Sequence, residues 1–204
     1  LPGEGEQFSV EVYPDRDTWL AGGHDSIGGS AAAVLWADEL AERDEPLPYA
    51  SPYAYWCAKR GLLPPPMPDP PPLPIERLGD GEAAIDPAES GELAEDGTRE
   101  LFFRKTGVPV LYPGPFTRLR SLTRPYLSVS LDGLVPHALD PGAWEGKERN
   151  AWALTRWRES LPLAVQIQIA HALLVTGWTW GVGVGRIGRF ALVWRRYERD
   201  EDFE

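Results

Sequence analysis

Helical spacing of apolar residues and short β-like runs divide the chain into a helical first half and a mixed second half. Residues 1–26 read as irregular and acidic, with Trp19-Leu20 as an apolar anchor. Residues 31–36 (AAAVLW) then form a good helix behind Ser30 as N-cap. Ser51-Pro52 opens a second short helix with Tyr53, Trp56 and Cys57 on one face and Gly61 as its stop. Residues 92–106 show the next helical pattern, through Leu93, Leu101 and Phe102, and Gly107 ends it. Residues 108–112, 126–129 and 142–147 are short and β-like. Residues 150–159 predict a Trp-bearing helix, and Pro162 opens another that runs to Thr176 and is closed by Gly177. Residues 178–184 and 190–197 predict two strands around a Gly185–Gly188 hairpin. Strands clustered between helices predict a mixed α/β or α+β protein.

Composition alters this picture in three places. Residues 64–74 hold eight prolines in eleven positions, which predicts polyproline II or a stiff connector, and an acidic loop follows over 79–92. One cysteine, Cys57, excludes an internal disulfide framework and any cysteine-based zinc cluster. No apolar run reaches the ~20 residues of a membrane span, so the expectation is a soluble cytoplasmic protein with no membrane partner. The net charge of −11 argues against a polyanionic partner until it is divided. Residues 1–100 carry 6 basic and 21 acidic side chains; residues 101–204 carry 14 and 10. The second half is therefore net positive and can meet DNA.

The candidate chemistry lies in that half. Asp132 sits in SLDGL at a strand end, and Glu145 and Lys147 follow in WEGK at i and i+2, a spacing that puts both on one face of a strand. Two carboxylates and an intervening carbonyl make a hard oxygen site suited to Mg²⁺, and a nearby lysine can position water and offset charge on phosphorus. The D-x₁₂-E-x-K spacing is weak by itself. A solvated Asp and an exposed Glu/Lys pair produce it more often than a metal site does.

The flanking blocks add to it. Residues 27–33 (IGGSAAA), 51–56 (SPYAYW), 91–95 (GELAE) with 101–107 (LFFRKTG), 130–135 (SLDGLV), 145–147 (EGK) and 162–177 (PLAVQIQIAHALLVTG) occur in the order found in the lambda-exonuclease/YqaJ-like phage recombination nucleases. These nucleases are a branch of the PD-(D/E)xK superfamily, and the resemblance runs from about Trp19 to Asp200. It implies a restriction-endonuclease-like α/β core with a mixed central β-sheet flanked by helices. The domain plan it implies is a single nuclease domain over 1–204: a helical part at 19–63, a Pro-rich and acidic loop at 64–90, and a catalytic core at 91–200. It also implies Asp132, Glu145 and the Gly146 carbonyl as Mg²⁺ ligands (Mn²⁺ as substitute), and Glu95 as a further carboxylate facing the metal. Lys147 would be the catalytic lysine, Gln168 the orienting glutamine, and Ser30 and Ser130 contacts to a terminal phosphate. The implied activity is DNA-end processing, with duplex ends as substrate and with a homo-oligomer and a single-strand annealing protein as possible partners.

The chain departs from the family pattern at Gly23 (Arg in the family), Ala31 (an acid), Leu131 (Pro) and Gly146 (a branched apolar residue). His24 is a candidate replacement for the missing arginine. These departures keep a second reading open, a catalytically decayed DNA-binding or assembly module on the same fold. A third is an adaptor acting through the proline stretch.

Arg149 and Arg156, with Arg158, Trp152 and Trp157, form a basic-aromatic stretch after the ExK segment. It reads equally as a DNA-phosphate contact or as a packed Trp face with solvated arginines. Arg118, Arg120 and Arg124 are weaker extensions of the same surface. Gly183–Gly188 matches G-x-G-x-x-G but lacks the helix that a dinucleotide site requires, so a glycine-rich hairpin is expected. His171 is expected to be a packed or exposed helical residue and Cys57 a core thiol.

Overall fold

The computed structural model describes residues 7–43, 50–62, 87–137, 140–200 and 202–203, with side chains from residue 94 onward in the helix that starts at Pro87. The proline stretch, 64–74, lies outside the described residues.

Strands β1 (Phe8–Val12), β2 (Thr117–Ser121) and β3 (Ser128–Val129) form an antiparallel sheet in the order β1-β2-β3. A second, mixed sheet contains β4 (Gly133–Val135), β5 (Gly142–Arg149), β6 (Trp180–Ile187) and β7 (Ala191–Glu198) in that order. The β5–β6 pair is parallel and its two neighbours are antiparallel. Helices α1 (Arg16–Gly22), α2 (Gly29–Leu35), α3 (Ala37–Glu42) and α4 (Pro52–Lys59) precede the long α5 (Pro87–Thr106). Helices α6 (Leu154–Glu159) and α7 (Leu163–Thr176) make the crossover between the parallel strands β5 and β6.

The period-2 rule explains how the mixed sheet is sandwiched. Gly181, Gly183 and Gly185 of β6 face α6 and α7. A Cβ would lie 2.5 Å from Ile169 at position 181, and 2.8 Å from the Trp157 indole at position 185. Their glycines let two helices seat directly on the strand. Val182 and Val184 point the other way and pack with Phe102 of α5, Val135 and Trp144. The G-x-G-x-x-G segment is thus a small-residue packing surface. Helix α7 is apolar nearly all round because it packs on both sheets and on α2, through Ala32, Ala33, Leu163 and Ile167.

Several expected elements shift. Residues 1–26 contain β1 and α1 where an irregular segment is expected, and β2 is also absent from the sequence pattern. The five residues of β1 (FSVEV) do alternate but stand alone among turn formers, and β2 (TRLRS) has one apolar residue, Leu119, so neither stands out as a strand. The 108–112 run makes only a single bridge, Leu111 to Leu134, instead of a strand. Helix α5 begins at Pro87, inside the expected acidic loop. Strand β6 runs on through Ile187, so the hairpin turn is Gly188–Phe190, with Gly188 at φ 55° and Arg189 at φ 66°. Helix α2 is capped by Gly28, which leaves Ser30 exposed in the first turn and not as the cap. In α4 Ser51 does cap, accepting from the Ala54 N–H at 3.1 Å. Of the anticipated apolar face only Cys57 is buried; Tyr53 and Trp56 are exposed and stack on each other.

Candidate active site

Strand β5 carries two kinds of side chain. Ala143 belongs to the core under α7, whereas Trp144 packs toward α5. Alternation therefore puts Glu145 and Lys147 on the Ala143 face. Asp132 reaches them from the bend before β4, because β4 and β5 pair with Gly133 opposite Trp144. The Gly146 N–H donates to Asp132 Oδ2 at 3.1 Å. The Lys147 ammonium stands between the two acids, 2.5 Å from Glu145 Oε1 and 3.5 Å from Asp132 Oδ2. These three side chains are 15–20% exposed, so they form a recessed cluster open to solvent on one side.

Helix α5 adds a third acid and an arginine absent from the sequence reading. Glu95 is half-buried on α5, close enough to Asp132, Glu145 and Lys147 to feel all three. One turn on, Arg99 lies 3.8 Å from Glu95 and donates to the Asp132 carbonyl at 2.5 Å. Its guanidinium also covers the Tyr112 ring at 4.5 Å and pairs with Asp96. The i,i+4 Glu95/Arg99 spacing on one helix face was the available signal.

The electrostatics follow from three carboxylates sharing limited positive charge. Burial first, then repulsion from Asp132, holds Glu145 up at about 7 despite the Lys147 contact. Burial and then Asp132 likewise raise Glu95 to about 7, against the pull of Lys147 and Arg99. Burial works against the charge on Lys147, yet Glu145 and Asp132 outweigh it and raise its pKa. The cluster favours gaining a proton or a cation.

Among the described residues, no group of three or more His, Cys, Asp or Glu is close enough to hold a metal as it stands. The donor chemistry nonetheless suits a hard cation. Lys147 now occupies the space between Asp132 and Glu145, whose nearest oxygens to it are no more than 6.0 Å apart. A shared Mg²⁺, with bonds of about 2.1 Å to each acid, would compete with the ammonium for these same oxygens.

The remaining candidates divide. Gln168 is half-buried on α7, and among the described contacts none joins it to the carboxylates; Gln166 is committed to the Leu161 carbonyl at 2.5 Å. Ser130 is exposed and accepts from Trp19 Nε1 at 3.3 Å. Arg149 is exposed at the end of β5 and donates to the Glu148 carbonyl at 2.8 Å. Arg156 is half-buried on α6, whereas Trp157 is a core residue at 1% exposure. His171 is also buried, with Nε2 2.8 Å from the Ser128 carbonyl, and ties α7 to β3.

Three departures from the family pattern have local causes. Ala31 is buried at 5% exposure, where an acid would be desolvated. A Cβ at Gly146 would overlap the Trp144 indole, so the tryptophan fills the volume of the usual branched residue. At Gly23 a Cβ would lie 2.7 Å from Arg118 Nη2. Arg118 is buried, donating to the Trp19 carbonyl at 2.6 Å and stacking on Tyr13 and Trp19. It braces Trp19, and through it Ser130. Arg120 is paired with Glu11 and Asp25. Arg118 is an interior residue where a surface one is expected.

No protein-family model and no curated protein matches the sequence. Among solved structures, the chain is similar to the alkaline exonuclease LHK-Exo from Laribacter hongkongensis, at 20% identity and a TM-score of 0.62, over 92% of this chain and 84% of that one. The complex of LHK-Exo with dAMP gives 19% identity with the same TM-score and coverage. Among the described residues, no helix is long and apolar enough to cross a membrane. The chain thus has the alkaline-exonuclease fold, with the restriction-endonuclease-like core expected of the lambda-exonuclease/YqaJ-like nucleases.

Proposed function

We propose that the chain is a metal-dependent deoxyribonuclease that processes duplex DNA ends, exonucleolytic in preference to endonucleolytic. The observation that carries this reading is the convergence of Asp132, Glu145 and Lys147, with Glu95 facing them, on the alkaline-exonuclease fold. Asp132, Glu145, the Gly146 carbonyl and Glu95 would hold Mg²⁺ or Mn²⁺, which when bound lowers the pKa of water and offsets charge on the phosphate. Lys147 keeps its proton throughout, as its raised pKa favours, and presents an N–H donor to the attacked phosphate oxygens. Arg99 fixes the Asp132 backbone through its carbonyl, so the carboxylate keeps its aim. Gln168 orients the site from α7, while Ser130, Ser30, Arg149 and Arg156 contact the DNA backbone.

A second reading has its own observation. The 2.5 Å Lys147–Glu145 pair partly neutralises the cluster without a metal, as a DNA-binding module that has lost hydrolysis would require. One experiment separates the two. Linear and circular forms of a single plasmid are incubated with Mg²⁺ or EDTA, using wild type and Lys147→Ala. The proposal expects Mg²⁺-dependent loss of the linear form, slowed at least about 100-fold in the variant. Binding without cleavage by wild type would establish the second reading, and equal cleavage by the variant would remove Lys147 from the chemistry.

A further inference from the structure

Beyond the carboxylate cluster, the chain leaves a large aromatic side chain in water where β5 ends. Trp152 is 91% exposed, in the 3₁₀ turn Ala151–Ala153 that connects β5 to α6. It lies five positions after Lys147, so the two Cα atoms are at most about 18 Å apart even if the chain is fully extended. The β6–β7 turn lies against the same point. The Gly188 N–H donates to the Arg149 carbonyl at 2.8 Å, and a Cβ on Gly188 would lie 3.2 Å from Ala151 and 2.6 Å from the Phe190 ring. Phe190 is itself 67% exposed. Arg149, three residues before Trp152, and Arg189, next to Phe190 in the chain, are both exposed as well. Two exposed aromatic rings and two exposed guanidinium groups are thus carried by the end of β5 and the β6–β7 turn bonded to it, in the net-positive half of the chain.

Exposed rings so placed have no role in the core. Trp157, five residues on, shows the contrast: it is buried against Gly185, whereas Trp152 packs on nothing comparable. Flat aromatic faces interleaved with arginines match single-stranded nucleic acid, in which every base offers a π-face and every linkage a negative charge. An acidic or purely apolar partner would leave either the guanidiniums or the rings unmatched.

We propose that Trp152 is a base-stacking residue, backed by Phe190 and by Arg149 and Arg189, that takes an unpaired nucleotide of the DNA strand beside the carboxylate cluster. This deepens the nuclease reading and rests on it for the identity of the strand. Stacking there would hold a frayed end open and set how far the strand advances toward Lys147.

Binding measured in EDTA tests the proposal apart from cleavage. The probes are fluorescein-labelled duplexes that are blunt, that carry a four-nucleotide single-stranded tail, or that carry the same tail made of abasic units. Trp152→Ala should weaken binding of the tailed duplex roughly 5- to 100-fold, the range of one base–aromatic stack, and Trp152→Phe should recover most of it. With the abasic tail, wild type and Trp152→Ala should bind alike. Equal binding of the tailed duplex by wild type and Trp152→Ala would overturn the proposal. So would sedimentation showing that Trp152→Ala only splits an oligomer while binding per protomer is unchanged. Wild-type cleavage in Mg²⁺, assayed in parallel, reports on the nuclease reading alone: its absence would sink that reading and leave the stacking result standing.

Discussion

The indole of Trp144 covers Gly146, in the space a side chain at residue 146 would need. Trp144 is 1% exposed and sits edge-on to Phe102 of α5, with ring centroids 6.4 Å apart. The backbone N–H beneath it, that of Gly146, holds Asp132. Packing on one face of β5 thereby fixes an acid that acts on the other.

That relationship predicts a coupled pair. Gly146→Val should lower stability by about 1–3 kcal/mol through overpacking. Trp144→Ala should cost about 3–5 kcal/mol through the cavity it leaves. The double variant should be less destabilised than the two losses together, since the valine enters the vacated space. Urea unfolding of the four proteins measures this, and strict additivity would show that the two residues do not compete for one volume.

Arg99 is the arginine that the sequence pattern did not single out, and it touches both Glu95 and the Asp132 backbone. Arg99→Ala should reduce Mg²⁺-dependent cleavage about tenfold or more and destabilise the fold by roughly 1.5–3 kcal/mol, the range for a charged hydrogen bond. Arg99→Lys should restore stability better than activity, because an ammonium cannot reproduce the guanidinium's fixed fork. Equal rates for all three proteins on a duplex substrate would dismiss a positioning role.

His171 gives a pH dependence with a definite sign. Burial is the main cause that lowers its folded pKa below the usual 6.5, with the Ser128 and Ile27 carbonyls opposing. Below about pH 6.5 the unfolded chain takes up a proton that the folded chain resists, so stability falls as pH drops from the unfolded pKa toward the folded one. The slope from this one group is at most about 1.4 kcal/mol per pH unit. Glu95 and Glu145, raised to about 7, contribute with the opposite sign over the same range in both proteins, so the difference between the denaturant midpoints of wild type and His171→Gln from pH 7 to 5.5 should carry the His171 slope. Parallel curves would refer the slope to other groups.

Much of the site could be read along the chain because its members belong to short local patterns. The E-x-K spacing already places Glu145 and Lys147 on one strand face, and Gly107 and Gly177 end their helices at positive φ as expected. The edges of elements were less legible. Ser30 follows two glycines, and Gly28 takes the cap instead; β1 is a five-residue alternation among turn formers, and β2 has Leu119 as its one apolar residue.

By itself, then, the amino-acid order determined the helices α4 and α7, the β5 alternation and the presence of Lys147 beside Glu145, all consequences of 2- and 3.6-residue periods. Only the tertiary structure decided that Arg99 braces Asp132, that Trp144 replaces a side chain at Gly146, that Arg118 is buried beneath Trp19, and that Trp152 faces water while Trp157 does not. Those outcomes depend on which elements meet across 14 to about 100 residues of chain, and a local period carries no information about what packs against it.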